Sequence, residues 1–298
     1  MVQLKGIWSE EARPQSLQEI ILPKRLRTAF STFIKNKDMP NLLLVSSTPG
    51  TGKTTIAQIL AKELKTSCLY IKGSEEGGID TLRNKISLYV DQPNVTGFYS
   101  EEDDITPFKI IFVDEADGMS HQFQKGLRSI MNDYEKDCRY IFTCNYETNL
   151  IEPIVDRFTT IRFEFSSEEL SDMSEQFYNR VCNILNENNI KYDEDVVADI
   201  IVNNIPRFRR IWDKLYEIYL TYNNEITKQS YSEEQQLDKL IEIMNGKNYN
   251  AVLKFISENS ALSLNTVYSA LFRNFTKLDF RKDILIYLLN DYAIKADR

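Results

Sequence analysis

Apolar and polar positions along the chain follow two different rhythms. In the first half, short apolar runs alternate with stretches of helical periodicity. Leu42-Leu43-Leu44-Val45 is such a run, bounded by a Gly/Pro loop, and it predicts a parallel strand buried on both faces. Thr54 to Lys65 carries helical periodicity, Cys68 to Ile71 predicts a second strand, and Asp80 to Val90 a helix. Ile110 to Val113 predicts a third buried strand, Gln122 to Tyr134 a helix, Tyr140 to Asn145 a fourth strand, and Ile161 to Phe165, by its alternation, a fifth. Residues 1–40 read as helix and loop, with Arg13-Pro14 and Leu22-Pro23 as breakers. Alternating strands and helices imply an α/β fold whose parallel sheet is covered on both faces.

After Phe165 the strand rhythm stops. Ser167-Glu168-Glu169-Leu170 opens a helix: a hydroxyl can accept an orphan N–H, and early carboxylates suit the positive end of the helix dipole. Helices are expected near 193–203, 207–221, 232–245, 248–258, 262–275 and 279–293, with no further strand. The expected division is an α/β domain over 1–165, a small helical domain over 166–228 and a terminal helical domain over 229–298, with the polar stretch Asn223 to Glu233 as linker.

Composition narrows this picture only a little. A chain of 298 residues suits two or three domains, and 42% hydrophobic with 27% charged residues is ordinary for a globular protein. No apolar run approaches the roughly 18 residues of a membrane span, and the N-terminus lacks the shape of a signal peptide, so a cytoplasmic protein without membrane contact is expected. Cys68, Cys138, Cys144 and Cys182 have no metal-type spacing and are expected to be reduced, buried, small apolar residues. The net charge of −8 excludes a surface that is basic all over, but not a local positive track for nucleic acid. The single histidine, His121, lies in a polar stretch and is expected on the surface.

Candidate chemistry sits at two strand ends. Ser47-Thr48-Pro49-Gly50-Thr51-Gly52-Lys53-Thr54-Thr55 follows the first strand and precedes a helix. A glycine-rich turn in that place lets backbone N–H groups approach phosphates closely, and the helix N-terminus adds positive potential. Lys53 can then reach the β- and γ-phosphates of ATP, and the Thr54 hydroxyl can ligate Mg2+. Such loops usually begin with glycine, where this chain has Ser47. Asp114 closes the third strand, so its carboxylate falls beside the loop at the C-terminal sheet edge and can hold the magnesium. Glu115 can polarise an attacking water as general base. Together these residues point to binding and hydrolysis of ATP. Asp114-Glu115-Ala116-Asp117 also spells the helicase tetrapeptide, but a helicase of that class needs a second set of buried parallel strands, which the helical second half lacks.

Several segments resemble the small subunits of sliding-clamp loaders of the replication factor C type. They are Gly73 to Ile86, the stretch Asp114 to Met119 followed by Gln124, Leu127, Arg128 and Met131, and the N-terminal Trp8, Arg13 to Leu17 and Glu19-Ile20. The length and helical tail also resemble the ATPase subunit of T-even-type phage clamp loaders. The resemblance covers most of residues 8–215 and implies an AAA+ P-loop domain, a helical lid and an all-α collar. It implies an adenine-side role for the segment holding Arg13 and Ile20. It implies that Asn145 senses the γ-phosphate and that Arg209 is a second sensor on the lid, a place Arg207 or Arg210 could also take. It places Arg157, four residues after Pro153, as a finger reaching a neighbouring subunit's ATP; the family has Ser-Arg-Cys where this chain has Asp156-Arg157-Phe158, and Asp156 could instead hold the arginine locally. Gln124 resembles a residue linking DNA contact to the acidic motif, or is a plain surface glutamine.

The same resemblance puts Arg83, Asn84, Lys85 and Arg128 toward primer–template DNA, as backbone contacts without base readout, or on a solvated helix face. Gln92, Val95, Phe98 and Tyr99 have the spacing of sliding-clamp-binding peptides and fall where the family's clamp-contacting element lies, while the run Glu101 to Asp104 reads as solvated. The implied function is an ATPase subunit that assembles with further copies and a distinct small subunit and places the clamp on DNA. Another AAA+ machine, such as a helicase loader, and a scaffold subunit that does not hydrolyse ATP are the alternatives.

Overall fold

The structure is a computed structural model that describes residues 2–74, 79–92, 106–221, 224–246 and 249–258. Contacts group the described residues into two compact units, one within Met1–Asn188 and Ala198–Tyr216, the other within Asn189–Val197 and Glu217–Arg298.

The first unit is organised by five parallel strands: β1 (Leu42–Val45), β2 (Cys68–Lys72), β3 (Lys109–Asp114), β4 (Cys138–Cys144) and β5 (Thr159–Arg162). Their order is β2-β3-β4-β1-β5, so β1 lies inside the sheet and β2 at its edge. The register pairs Leu42 with Ile141 on one side and with Thr159 on the other. Successive side chains of a strand point to opposite faces. Leu42 and Leu44 accordingly join Ile110, Phe112 and Ile141 in one buried cluster with Phe30, Ile56 and Leu60 of α2 (Lys24–Asn36) and α3 (Lys53–Glu63). Leu43 and Val45 join Ile111, Val113 and Phe142 in another with Ile86 and Leu127 of α4 (Ile79–Asp91) and α5 (His121–Asp133). Burial on both faces is why these strands are continuous apolar runs. Each fully buried leucine contributes on the order of 1.5–3 kcal/mol.

β2 and β5 differ from expectation. At the sheet edge only Ile71 of β2 is buried, and Cys68 is exposed there rather than part of the core. Cys138 and Cys144 are buried, Cys182 is half-buried, and all four are free thiols. β5 begins two residues earlier than its apolar alternation predicts and ends at Arg162, after which the Phe163 N–H donates to Val45 O at 2.8 Å. Phe163 is buried, and Phe165 packs on the same cluster. The alternation thus tracks which side chains are buried, and it runs on past the end of the ladder.

The chain then enters α7 (Ser167–Glu187) through a capping box on Ser166: its hydroxyl accepts from the Glu169 N–H at 3.2 Å, and the Glu169 carboxylate accepts from the Ser166 N–H at 3.0 Å. Arg25 binds the same carboxylate at 2.8 Å, and together these hydrogen bonds lower its pKa. Two short helices of this unit, α1 (Trp8–Glu11) and α6 (Glu152–Val155), lie before the sheet and before β5. Farther along run α8 (Glu194–Asn204), α9 (Phe208–Thr221), α10 (Lys228–Asn245) and α11 (Tyr249–Glu258), near the expected places. The helices expected at 262–275 and 279–293 lie outside the described residues.

The second unit holds two strands of two residues each, β6 (Lys191–Tyr192) and β7 (Glu225–Ile226), paired in parallel. No strand was expected after Phe165, and two residues are too few to show periodicity. The Lys191–Glu225 ion pair at 3.0 Å brackets this ladder. Among the described residues no helix is long and apolar enough to cross a membrane.

Candidate functional site

A cleft of about 490 Å³ opens in the first unit at the C-terminal ends of β1, β3 and β4, where open α/β sheets bind ligands. Its floor is the loop between β1 and α3. Positive φ in this loop is confined to Gly50 (78°) and Gly52 (95°), which residues bearing a Cβ would adopt only with strain. Ser47 stays out of the left-handed region, is exposed and does not line the cleft. The position therefore does not require glycine, and Ser47 is placed apart from the other loop residues named as ligands: Pro49, Gly50, Thr51, Gly52, Lys53, Thr54 and Thr55 all line the cleft. α3 begins at Lys53, so its unpaired N-terminal N–H groups face this space. Thr51 is buried, and its hydroxyl oxygen has no hydrogen-bond partner, an unsatisfied polar atom in the cradle.

The Lys53 ammonium donates to Ser46 O at 3.1 Å and to Asn145 Oδ1 at 3.0 Å. Burial pushes its pKa below the ordinary lysine value, against the opposing pull of Asp117 and Asp114. Asn145 follows the last residue of β4, and its backbone is fixed by Asp117, whose Oδ2 accepts the N–H groups of Asn145 and Tyr146, both at 3.1 Å. Cys144 also lines the cleft; burial pushes its thiol up to about 12, so it stays neutral.

Asp114 ends β3, and both of its carboxylate oxygens are hydrogen-bonded. The Thr54 hydroxyl lies 3.1 Å from Oδ1 and 3.3 Å from Oδ2, the Thr143 hydroxyl donates to Oδ1, and the Tyr70 phenol lies 3.2 Å from Oδ2. Glu115 has φ of 53°, the left-handed region that non-glycine residues seldom enter. Its N–H donates to Thr143 Oγ1 at 3.1 Å, and its carboxylate accepts from the Ser74 hydroxyl at 3.1 Å. This turn is packed against Gly73, where an added Cβ would come within 2.6 Å of Glu115 O. A hydroxyl and a carboxylate are hard oxygen donors, suited to Mg2+, which takes few protein ligands and keeps waters and phosphate oxygens. Thr54 and Asp114 fit that ion, and the glycine loop with the orphaned Thr51 hydroxyl fits a polyphosphate.

The other end of the cleft is aromatic. Phe177 of α7 and Phe208 and Trp212 of α9 line it, together with Ile20, Arg13 and Arg180. Phe177 packs against Phe208 with centroids 4.8 Å apart and against Trp212 at 6.2 Å; Trp8 lies edge-on to Trp212 at 6.4 Å. Arg13 forms an ion pair with Glu10 at 2.6 Å and approaches Thr55 Oγ1 at 3.5 Å. Arg180 reaches Ala12 O at 3.2 Å. Of the three candidate lid arginines only Arg209 lines the cleft, brought there by the Phe208 N–H, which donates to Gly50 O at 3.1 Å.

The remaining candidates lie away from the cleft. Arg157 is half-buried, its guanidinium donating to Pro153 O at 2.7 Å and to Asn132 Oδ1 at 3.0 Å, so Asn132 rather than Asp156 holds it. Gln124 is fully buried, not on the surface: it donates to Met119 O at 3.1 Å and Asn149 O at 2.9 Å and accepts from the Ile151 N–H at 2.8 Å. Arg83, Asn84 and Lys85 are exposed on α4 and Arg128 is exposed on α5; Arg83 lies 4.0 Å from Asp133. His121 is exposed as expected. Gln92 is exposed just past α4, whereas Val95, Phe98, Tyr99 and the 101–104 run lie outside the described residues. Thr143, Tyr70, Ser74 and Asp117 bind the expected site residues but were not foreseen as site residues. Asp117 and Ser74 lie within segments singled out in the sequence, without a role assigned to them, whereas no motif marks Thr143 or Tyr70, and only strand register could have pointed to Tyr70.

The strand order, the loop between β1 and α3 and the acidic end of β3 define a P-loop fold of the AAA+ type. Residues 43–166 match the family described as "ATPase family associated with various cellular activities (AAA)". Over a longer stretch the chain is similar to replication factor C small subunits. It is 33% identical to that of Archaeoglobus fulgidus over 209 residues, covering 68% of this chain and 61% of the relative. It is 35% identical to that of Sulfolobus acidocaldarius over 202 residues, covering 65% and 57%. The chain thus spans less than two thirds of the length of these relatives. Among solved structures, the RuvB Holliday junction branch migration motor of Thermotoga maritima superposes with a TM-score of 0.54 at 19% identity, over 90% of this chain and 88% of that one, a likeness of fold.

Proposed function

We propose that this chain is an ATP-hydrolysing subunit of a DNA polymerase sliding-clamp loader, acting in the cytoplasm on a sliding clamp and primer–template DNA. The observation that carries the reading is the convergence of Lys53 on Asn145 and of Thr54 on Asp114 in one cleft, in a chain similar to replication factor C small subunits. In this reading the loop from Pro49 to Thr55, with Ser47 at its outer edge, binds the phosphates, Lys53 and Asn145 meet the γ-phosphate, and Arg209 closes on it from the lid. Arg13 and Ile20 flank the adenine, and the aromatic end of the cleft receives it. Thr54 and Asp114 hold Mg2+, which when bound neutralises charge on the β- and γ-phosphates. Glu115 takes the proton of the attacking water once it leaves Ser74. Arg157 of a neighbouring copy completes the site by stabilising negative charge as the γ-phosphoryl group transfers.

The domain division proposed is a nucleotide-binding domain over 1–165, a lid over 166–228 and a collar over 229–298 that assembles copies of this chain with a distinct small subunit. Arg83, Asn84, Lys85 and Arg128 track the DNA backbone, and Gln92, Val95, Phe98 and Tyr99 engage the clamp. ATPase activity of the assembled complex, measured with and without clamp and primed DNA, tests this. Stimulation by both is expected. A rate indifferent to both would point to another AAA+ machine, and no turnover under any condition to a scaffold subunit.

A further inference from the structure

We infer that Tyr70 is a positioning residue for the metal-holding carboxylate of Asp114; the inference rests on the proposed Mg2+ site. An aspartate carboxylate rotates easily about its last torsion, which has broad wells rather than sharp ones. A ligand that must present one oxygen in a fixed direction therefore needs both oxygens held. Oδ1 has the Thr143 hydroxyl as donor, with Thr54 at 3.1 Å. Thr54 also lies 3.3 Å from Oδ2, but one hydroxyl proton cannot serve both oxygens, and Thr54 is itself a candidate metal ligand. Tyr70, 3.2 Å from Oδ2, gives that oxygen a donor of its own.

Strand register delivers the phenol. β2 and β3 pair Tyr70 with Phe112 and Lys72 with Asp114, so Tyr70 shares a face with the residue paired to Asp114, one step back along the sheet. The ring stands edge-on to Phe112, with centroids 5.4 Å apart and planes at 73°, which fixes the direction of the hydroxyl. Tyr70 is 47% exposed, so its hydroxyl contributes little to folding. Groups that orient a metal ligand in this way change metal affinity by about 10–100-fold when removed.

Tyr70→Phe keeps the ring and removes the donor. Binding of a fluorescent ATP analogue to the full chain, titrated with Mg2+ and repeated in EDTA, reads the effect. The inference expects the half-saturating Mg2+ concentration to rise about tenfold or more, with affinity in EDTA and the thermal midpoint unchanged. An identical Mg2+ dependence in wild type and variant overturns it. If the wild-type chain binds nucleotide with no response to Mg2+, the proposed metal site itself fails and the inference falls with it, so the two failures are told apart by the wild-type curve.

Discussion

At one end of the cleft, Lys53, Thr54, Asp114, Glu115 and Asn145 sit at strand ends and a helix start, and each is held by polar partners. At the other end, Phe177, Phe208 and Trp212 come from helices beyond the sheet and are held by one another and by Trp8. The first end keeps polar groups where folding alone would not put them: a buried ammonium with a depressed pKa, a left-handed glutamate and a buried hydroxyl without a partner. The second end is apolar packing between helices that also lines the cleft. The phosphate-loop end should therefore be expendable for folding and indispensable for function, whereas the aromatic end, which receives the adenine in the proposed function, should be indispensable for folding as well.

Substitutions can break that contrast. Lys53→Ala should abolish ATP binding, measured calorimetrically, yet shift unfolding stability by no more than about 1 kcal/mol, because a desolvated charge is removed along with its hydrogen bonds. Destabilisation of several kcal/mol would show that the lysine is structural. Glu115→Gln should keep ATP binding and lower turnover of the assembled complex by about 10²–10⁴-fold, the usual span for a general base; near-normal turnover would remove Glu115 from that role. Trp212→Ala should cost about 3–5 kcal/mol in denaturant unfolding, as large-to-small changes at buried aromatic residues do, since Trp212 is only 3% exposed. A loss below about 1 kcal/mol would mean that the aromatic end exists for the ligand and not for the fold.

The contrast also explains what could be read in advance. The loop from Pro49 to Thr55 and the pair Asp114-Glu115 are contiguous, and each follows an apolar run whose burial on both faces is plain from composition, so strand, turn and chemistry were legible together. The partners that hold them were not. Thr143 is one of several residues on β4, Tyr70 lies on an edge strand, and Asp117 acts through the backbone of a residue far along the chain; these meetings are made by register and topology. Trp8 was singled out with Arg13 to Leu17 and Glu19-Ile20 for its resemblance to the clamp loaders' N-terminal segment, but its contact with Trp212 depends on how α9 returns over the loop. Cys68 was misplaced because an edge strand shares its apolar composition with buried ones. Ser47 looked anomalous only by comparison with the usual motif. The backbone gives the reason it is tolerated, since the left-handed conformations fall at Gly50 and Gly52. Gln124, read as a coupling residue or a surface glutamine, is buried and ties the turn after Asp114 to the segment after Asn145 with three hydrogen bonds.

Arg157 lies outside the cleft, parked on Asn132 and the Pro153 carbonyl, and on its own chain it serves no part of the site. In the proposed function this arginine completes a neighbour's cleft. Complementation tests it most directly. Complexes assembled only from Glu115→Gln chains lack the base, and complexes assembled only from Arg157→Ala chains lack the finger, so both should be inactive with clamp and primed DNA. Complexes assembled from a mixture contain interfaces where an intact cleft meets an intact arginine. The expected result is ATPase activity in the mixture that neither parent shows. A mixture as inactive as its parents, or full activity in Arg157→Ala alone, would contradict a shared site.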